Sequence, residues 1–280
     1  MQFRISQRLL VRATRKISTG TECVLERLQN NDAGIVMLTL NRPKAKNALG
    51  TNLLSEFRTH LQSLRNDSNA RVVILNSAVS GVFCAGADLK ERAKMTPAEV
   101  SSFVHDLRAS FTEFEDLPIP TIAAIDGFAL GGGFELALGA DMRVVGENAK
   151  VGFPETNLAI IPGAGGTQRL PRLIGISKAK ELIFTGAILN SEKAFQYGMV
   201  NKAVSGSAIP ASLDLARSML NKGPIALQMA KLAINRGSQL DLTNGMAFEK
   251  ACYAQVIPTQ DRLEGLAAFK EKRTPVYKGC

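Results

Sequence analysis

The spacing of apolar residues changes regularly along this chain, and each change predicts an element. Cys23-Val24-Leu25-Glu26-Arg27-Leu28 and Ile35-Val36-Met37-Leu38-Thr39-Leu40 are β-rich runs flanking Asn30-Asn31-Asp32-Ala33-Gly34, a pattern of two strands joined by a turn. After Arg42-Pro43 the period lengthens, so that Leu49, Leu53, Leu54, Phe57, Leu61 and Leu64 trace one helical face. Arg71-Val72-Val73-Ile74-Leu75 carries four apolar residues in a row after Arg71, which predicts a buried strand. Thr96-Pro97-Ala98-Glu99 combines a capping threonine, proline at the first helical position and a glutamate three residues on. The helix it starts has Val100, Phe103, Val104, Leu107, Phe111 and Phe114 as its inner face. Residues 121–125 are a further core strand, and residues 134–138 open a helix beyond a glycine run.

Strand, small-residue turn and helix therefore recur after Leu75 and after Ile125, which predicts a repeated layout of the α/β class. From about Gly175 the pattern is mainly helical, over 177–185, 191–197, 211–220, 224–235 and 242–269. Helices this apolar need a partner surface. The expected organisation is a leader over 1–20, an α/β core over 21–205 and a helical region over 206–280.

Composition narrows the function classes. The chain has 280 residues, 45% hydrophobic and 21% charged, enough for one large domain with a helical extension. No apolar stretch approaches the roughly 18 residues of a membrane-spanning helix. The net charge of +9 raises nucleic acid as a partner, but Arg4, Arg8, Arg12, Arg15 and Lys16 lie in an acid-free leader, and without them the net charge is +4. Those cations recur at helical spacing among Phe3, Ile5, Leu9 and Leu10, as in a mitochondrial transit peptide; the alternative is a basic tail on a cytosolic protein. His60 and His105 are the two histidines, and Cys23, Cys84, Cys252 and Cys280 lack C-x-x-C spacing. A histidine triad, a metal centre and a disulfide framework are accordingly not expected. Neither a dinucleotide fingerprint nor a P-loop occurs.

Candidate chemistry gathers at three small-residue runs. Glu135 directly follows Gly131-Gly132-Gly133, Glu155 precedes Pro162-Gly163-Ala164-Gly165-Gly166, and Phe83-Cys84-Ala85-Gly86-Ala87-Asp88-Leu89-Lys90 forms an open turn. Glycine lets backbone N–H groups approach a ligand, and two converging donors hold a developing negative charge. Two carboxylates beside them move protons, which points to acid/base work on a carbonyl compound. Simpler readings exist: a glycine triplet allows close helix–strand packing, and an acid in a first helical turn favours the helix dipole. Glu135 is nevertheless flanked by Phe134, Leu136, Ala137 and Leu138, a setting of low dielectric that raises a carboxyl pKa. The apolar run Leu158-Ala159-Ile160-Ile161-Pro162 predicts burial around Glu155. Asp88 and Asp141 are expected to cap or pair, and Lys44, Lys46 and Lys90 to be solvated or to face phosphates.

Taken in order, Asn41–Leu49, Cys84–Lys90, Gly127–Glu135 and Ile161–Arg169 resemble the crotonase (enoyl-CoA hydratase/isomerase) superfamily over roughly residues 22–280. The resemblance implies a crotonase-like core of repeated ββα units wound into a spiral, and a C-terminal helical region that forms a homotrimer or a dimer of trimers. It implies Ala87 and Gly132 as oxyanion donors, and Glu135 and Glu155 as catalytic glutamates. Lys44, Ala45, Ala85, Ala87, Asp88, Leu89, Lys90, Gly132 and Gly163 would contact the coenzyme A ester. It implies no cofactor, because coenzyme A is part of the substrate, and no metal. Runs such as Ala179–Phe184, Ala230–Asn235 and Ala251–Gln255 narrow the likeness to the mitochondrial branch that hydrates 3-methylglutaconyl-CoA in leucine degradation, one member of which binds AU-rich RNA. The lysine-rich helix credited with that binding departs here, with Ser55, Glu56, Thr59 and Asp67 beside Arg58 and Arg65. RNA binding is therefore expected to be weak. Fatty-acid enoyl-CoA hydration and enoyl-CoA isomerisation remain alternatives, the second needing only one base.

Overall fold

Residues 20–280 are described by the computed structural model, so the leader read from residues 1–20 lies outside the described residues but for Gly20. The first two runs pair as expected. Strands β1 (Cys23–Arg27) and β2 (Ile35–Leu40) are antiparallel, with Cys23 opposite Leu40. Helix α1 (Thr51–Arg65) buries Leu53, Leu54, Phe57, Leu61 and Leu64, the predicted face.

From here the chain repeats one device. Strand β3 (Val72–Ser77) runs into a three-residue strand β4 (Val82–Cys84), followed by α2 (Leu89–Arg92) and α3 (Pro97–Glu115). Strand β5 (Thr121–Ile125) runs into β6 (Phe128–Leu130) and then α4 (Gly132–Leu138). Strand β7 (Met142–Val145) runs into β8 (Lys150–Gly152) and a 3-10 turn over Pro154–Leu158. Helices α5 (Gly166–Ile174) and α6 (Ile176–Thr185) come next, then β9 (Ile188–Asn190), α7 (Ser191–Gln196) and β10 (Lys202–Ala203). Strands β1, β2, β3, β5 and β7, with the two-residue β10 at the edge, form a six-stranded sheet in the order β1-β2-β3-β5-β7-β10, parallel after its first pair. Four three-residue strands form a second sheet, β4-β6-β8-β9. Each repeat thus contributes one strand to each sheet before its turn, which is the ββα spiral.

Alternation along the parallel strands explains why both faces of the large sheet are covered. Val73, Leu75, Ala123, Ile125 and Val145 point into the core shared with α1 and α3. Val72, Ile74, Ile122, Ala124 and Val144 point the other way, against Ala208 and Ala216 of α8 (Ala208–Leu220). Both halves of the Thr96/Glu99 capping box form: the Glu99 carboxylate accepts from Thr96 N at 2.7 Å, and Glu99 N donates to the Thr96 hydroxyl at 3.3 Å.

Helix α9 (Pro224–Gly237) precedes α10 (Leu242–Val256) and α11 (Gln260–Glu271). The continuous helical run read over 242–269 is therefore two helices. Pro258 lacks an N–H and constrains the residue before it, and Thr259 caps the new helix by accepting from Arg262 N. No helix among the described residues is long and apolar enough to cross a membrane.

Candidate active site

Two turns of successive repeats meet at the centre. The segment before α1 is tied down by Asn47, whose amide donates to Ser77 Oγ (2.8 Å) and to the Phe83 carbonyl (2.9 Å) and whose side-chain oxygen accepts from Arg42 N (2.7 Å). Asn47 and Lys46 both take left-handed backbone conformations, and these bonds hold them there. Arg42 then bridges Glu22 (2.9 Å) and Asp88 (2.7 Å), locking the strand pair to the second turn. Leu49 clasps that turn from the other side: its N–H donates to Gly86 O and its carbonyl accepts from Asp88 N. The Ala87 N–H between those bonds donates to no acceptor among the described residues.

Gly86 has φ +95°, and its β-position would lie 2.8 Å from the Leu130 carbonyl and 3.5 Å from Gly132 N. Only glycine lets the two turns approach this closely. The Gly132 N–H, at the first position of α4, is likewise unpaired among the described residues, and the β-position of Gly132 is 3.7 Å from Ala87 N. Two free donors thus converge at the start of a helix. Gly133 serves packing, since any β-carbon there would overlap the Cys84 carbonyl.

The acids reach the same point. Glu135, 2% exposed, accepts from Ala164 N (2.8 Å) and Gly166 N (2.7 Å) through Oε1, while Oε2 lies 3.8 Å from the β-position of Gly132. Burial raises its pKa, and the two amides oppose that rise. Glu155 is half-buried on the 3-10 turn, with Oε1 2.8 Å from the β-position of Gly131. Its Oε2 is buried without a hydrogen-bond partner among the described residues. Desolvation, with a smaller push from the Glu135 charge, raises its pKa to about 7.

A cavity of about 530 Å³ opens here, lined by Ala85, Ala87, Gly132, Glu135, Glu155 and Gly163 and walled by apolar residues. A larger cleft of about 1340 Å³ carries Lys44, Ala45, Lys46, Asp88, Lys90 and Lys94, and the two share Ala87 and Leu89. The predicted residues therefore divide into an acid-lined cavity and a basic cleft that meet at the first turn. The Asp88 carboxylate is committed to capping α2 and to Arg42, and Asp141 to Thr121 and Lys231.

Three expectations change. Leu158, Ile160 and Ile161 are 58%, 42% and 66% exposed; they line the cavity instead of being buried in the core. Val100 and Val104, assigned from periodicity to the inner face of α3, also line the cavity. Asp67, two residues past the end of α1, pairs with Arg27 and not with Arg65, while Arg58 on α1 is paired with Glu113 at 2.6 Å. The amides of Ala164 and Gly166 and the side chains of Arg92 and Arg108 escaped the sequence reading, because only the folded loop brings them to the cavity. Cys23, Cys84 and Cys252 are buried free thiols, and Cys280 is exposed.

Comparison with known proteins agrees with this geometry. The enoyl-CoA hydratase/isomerase family pattern matches residues 30–280. The chain is 52% identical over 269 residues to the mitochondrial methylglutaconyl-CoA hydratase of Homo sapiens, covering 94% of this chain and 79% of that protein. It is 51% identical over 263 residues to the mitochondrial enoyl-CoA hydratase domain-containing protein 2 of Mus musculus, covering 92% and 89%. Its fold matches the crystal structure of an enoyl-CoA hydratase from Bacillus anthracis with a TM-score of 0.89, at 47% identity over 92% of this chain and all of that one. A match that spans both sheets, the paired turns and the helical end places the chain in the enoyl-CoA hydratase/isomerase family.

Proposed function

We propose that the protein is a hydratase that adds water syn across C2=C3 of an enoyl-CoA thioester. The observation that carries this reading is the convergence of two carboxylates in unlike environments beside two unpaired N–H groups. The thioester oxygen lies against Ala87 N and Gly132 N, where each donor contributes about 3–4 kcal/mol to the enolate-like state. A water sits between the acids. Glu135, whose Oε1 is held by amides that favour its ionised form, takes the water's proton through Oε2 as oxygen bonds to C3. Glu155, protonated near neutral pH, delivers a proton to C2. An isomerase shuttles one proton with one base, so it leaves the second carboxylate unused.

Lys44 and Lys90 in the basic cleft suit the phosphates of coenzyme A, which enters as part of the substrate, with no separate cofactor. The 3-methylglutaconyl ester is the favoured acyl group, in keeping with the relatives of that name, and the acid-free leader fits a mitochondrial matrix enzyme. Leu242, Met246 and Tyr253 on α10 and Leu263, Leu266 and Phe269 on α11 are exposed large apolar groups, a surface suited to a trimer or a dimer of trimers. RNA binding is a minor reading, because Arg58 on α1 is neutralised by Glu113 and Asp106. Turnover across acidic and neutral enoyl-CoA esters tests the reading, and failure to hydrate any of them removes it.

A further inference from the structure

The loop that holds Glu135 is itself held from behind by two guanidinium groups. The Ala164 N–H and the Gly163 carbonyl belong to one peptide group, which donates to Glu135 Oε1 at one end and accepts from Arg108 Nε of α3 at the other. The next carbonyl, that of Ala164, accepts from Arg169 Nη1 of α5 at 3.1 Å. The third peptide gives its Gly166 N–H to Glu135, and its Gly165 carbonyl accepts from Gln168 N and Arg169 N at the start of α5. Successive carbonyls are thus engaged, two of them by arginine side chains, behind the two amides that face the acid. Gly165 leaves the room this needs, because a β-carbon there would overlap Arg169 Nη1.

Arg169 is anchored firmly. Its Nε and Nη2 donate to Glu115 at 3.0 and 2.6 Å, and Nη2 also to the Thr112 hydroxyl at 3.4 Å, so the fork is fixed against α3 and mostly buried. Arg108 is exposed at the cavity rim. A cation on a peptide carbonyl strengthens the bond given by that peptide's N–H, since hydrogen bonds in a chain polarise one another. Both arginine charges favour the ionised form of Glu135, Arg169 more than Arg108. The other charged groups around the acid are Glu155 on the 3-10 turn, Arg92 in the cavity wall and Arg143 behind α4, where it takes the carbonyls of Ala137 and Ala140 at 3.3 and 2.7 Å. The charge acting on Glu155 is that of Glu135.

We propose that Arg169, reinforced by Arg108, is a positioning residue for the base: it clamps residues 163–166 so that their amides stay aimed at Glu135 Oε1, and its charge keeps Glu135 ionised inside a filled cavity. This rests on Glu135 acting as the base of the hydratase reading and extends that role to the cations behind the loop.

The test is the pH profile of kcat/KM, with 3-methylglutaconyl-CoA and 2-butenoyl-CoA as substrates, because its acid limb reports the base of the free enzyme. Arg169→Met should move that limb up by about one pH unit, an extra loss of about tenfold at its acid end, and leave the alkaline limb in place. Arg108→Met, a change at an exposed position, should move it by roughly half a unit and carries the test if Arg169→Met does not fold. Arg169→Lys keeps the charge and should restore most of the shift, with a lower kcat, because an ammonium does not span Glu115 and Ala164 as the fork does. Activity that falls by one factor at every pH, with the acid limb unmoved, would make the arginines supports of the fold alone and overturn the proposal. If wild type hydrates neither ester, the hydratase reading fails and the clamp is still measured. The carboxylate infrared band lost in Glu135→Gln identifies Glu135, and its titration midpoint in the resting protein should rise in the methionine variants. An unchanged midpoint overturns the clamp whether or not the protein is a hydratase.

Discussion

Glu135 stands in the first turn of α4, where two amides from the loop before α5 hold one of its oxygens; Glu155 stands on a 3-10 turn, where one oxygen is buried with nothing to accept from. Both carboxyl pKa values are raised by burial, but Glu135 is opposed by two amides from a distant segment, whereas Glu155 is opposed by its own backbone N–H alone and is pushed further up by the Glu135 charge. Sequence places the two residues in similar company, each beside glycines and apolar residues. The contrast teaches that backbone donors, not flanking composition, divide an acid from a base within one cavity.

Replacing each acid by its amide is the strongest test of this contrast. Glu155→Gln and Glu135→Gln are each expected to lower kcat by about 10²–10⁴ while retaining acyl-CoA binding, since the amide keeps the shape and loses the proton transfer. Steady-state hydration and calorimetry check both parts. Near-normal turnover by Glu135→Gln would leave a one-base isomerase as the better description.

The next test removes the charge stabilisation that both acids depend on. Gly132→Pro deletes an N–H at the first position of α4, where proline is tolerated, and should lower kcat by about 10²–10³. Gly132→Ala is the control, because it adds the same β-carbon, 3.1 Å from Leu49 Cδ1, and keeps the donor. Equal activity in the two folded variants would move the oxyanion site elsewhere.

A pH profile sharpens the division of roles. With Glu155 as the acid, its raised pKa of about 7 makes kcat/KM for hydration decline on the alkaline side, by about tenfold per pH unit once the proton is lost. Activity rising through neutrality would exchange the two assignments.

The smallest effect is on stability. Glu155 stays protonated to about pH 7 in the folded chain but ionises near 4.5 when unfolded, so the native state binds more protons between those values. Stability therefore falls as pH rises through that window, and the cost persists above it. After discounting for partial exposure, Glu155→Gln should be more stable than wild type by on the order of 1–2 kcal/mol above neutrality. The gain should vanish in acid. Melting curves at both extremes measure it, and an unchanged difference would mean that the acid is not desolvated as described.

Residues with a strong local pattern were legible from the chain alone. The buried face of α1, the Thr96/Glu99 box and the paired strands β1 and β2 follow from periodicity, capping and turn chemistry within a few residues. The three-residue strands β4, β6 and β8 were not legible, because a run such as Phe128–Leu130 is too short to carry a period and exists through its pairing with neighbours. The helix-like pattern continues on both sides of Pro258 and masks the break there, although proline and the capping threonine mark it locally.

At the site the same boundary applies. Sequence by itself determined which groups were present: the glycines that allow turns to meet, the two acids, the small-residue run around Ala87 and the lysines of the cleft. Local chemistry sets those features, since glycine accepts the φ of +95° at Gly86 without strain and a carboxylate can move a proton. Tertiary structure decided what the groups became. It set the turns of two repeats side by side, brought the amides of Ala164 and Gly166 across 29 and 31 residues to Glu135, left Oε2 of Glu155 without a donor, and placed Arg92 in the cavity wall. Desolvation and hydrogen bonding act over a few ångströms of space irrespective of distance along the chain, so the chemistry of these residues was decided by their neighbours in the fold.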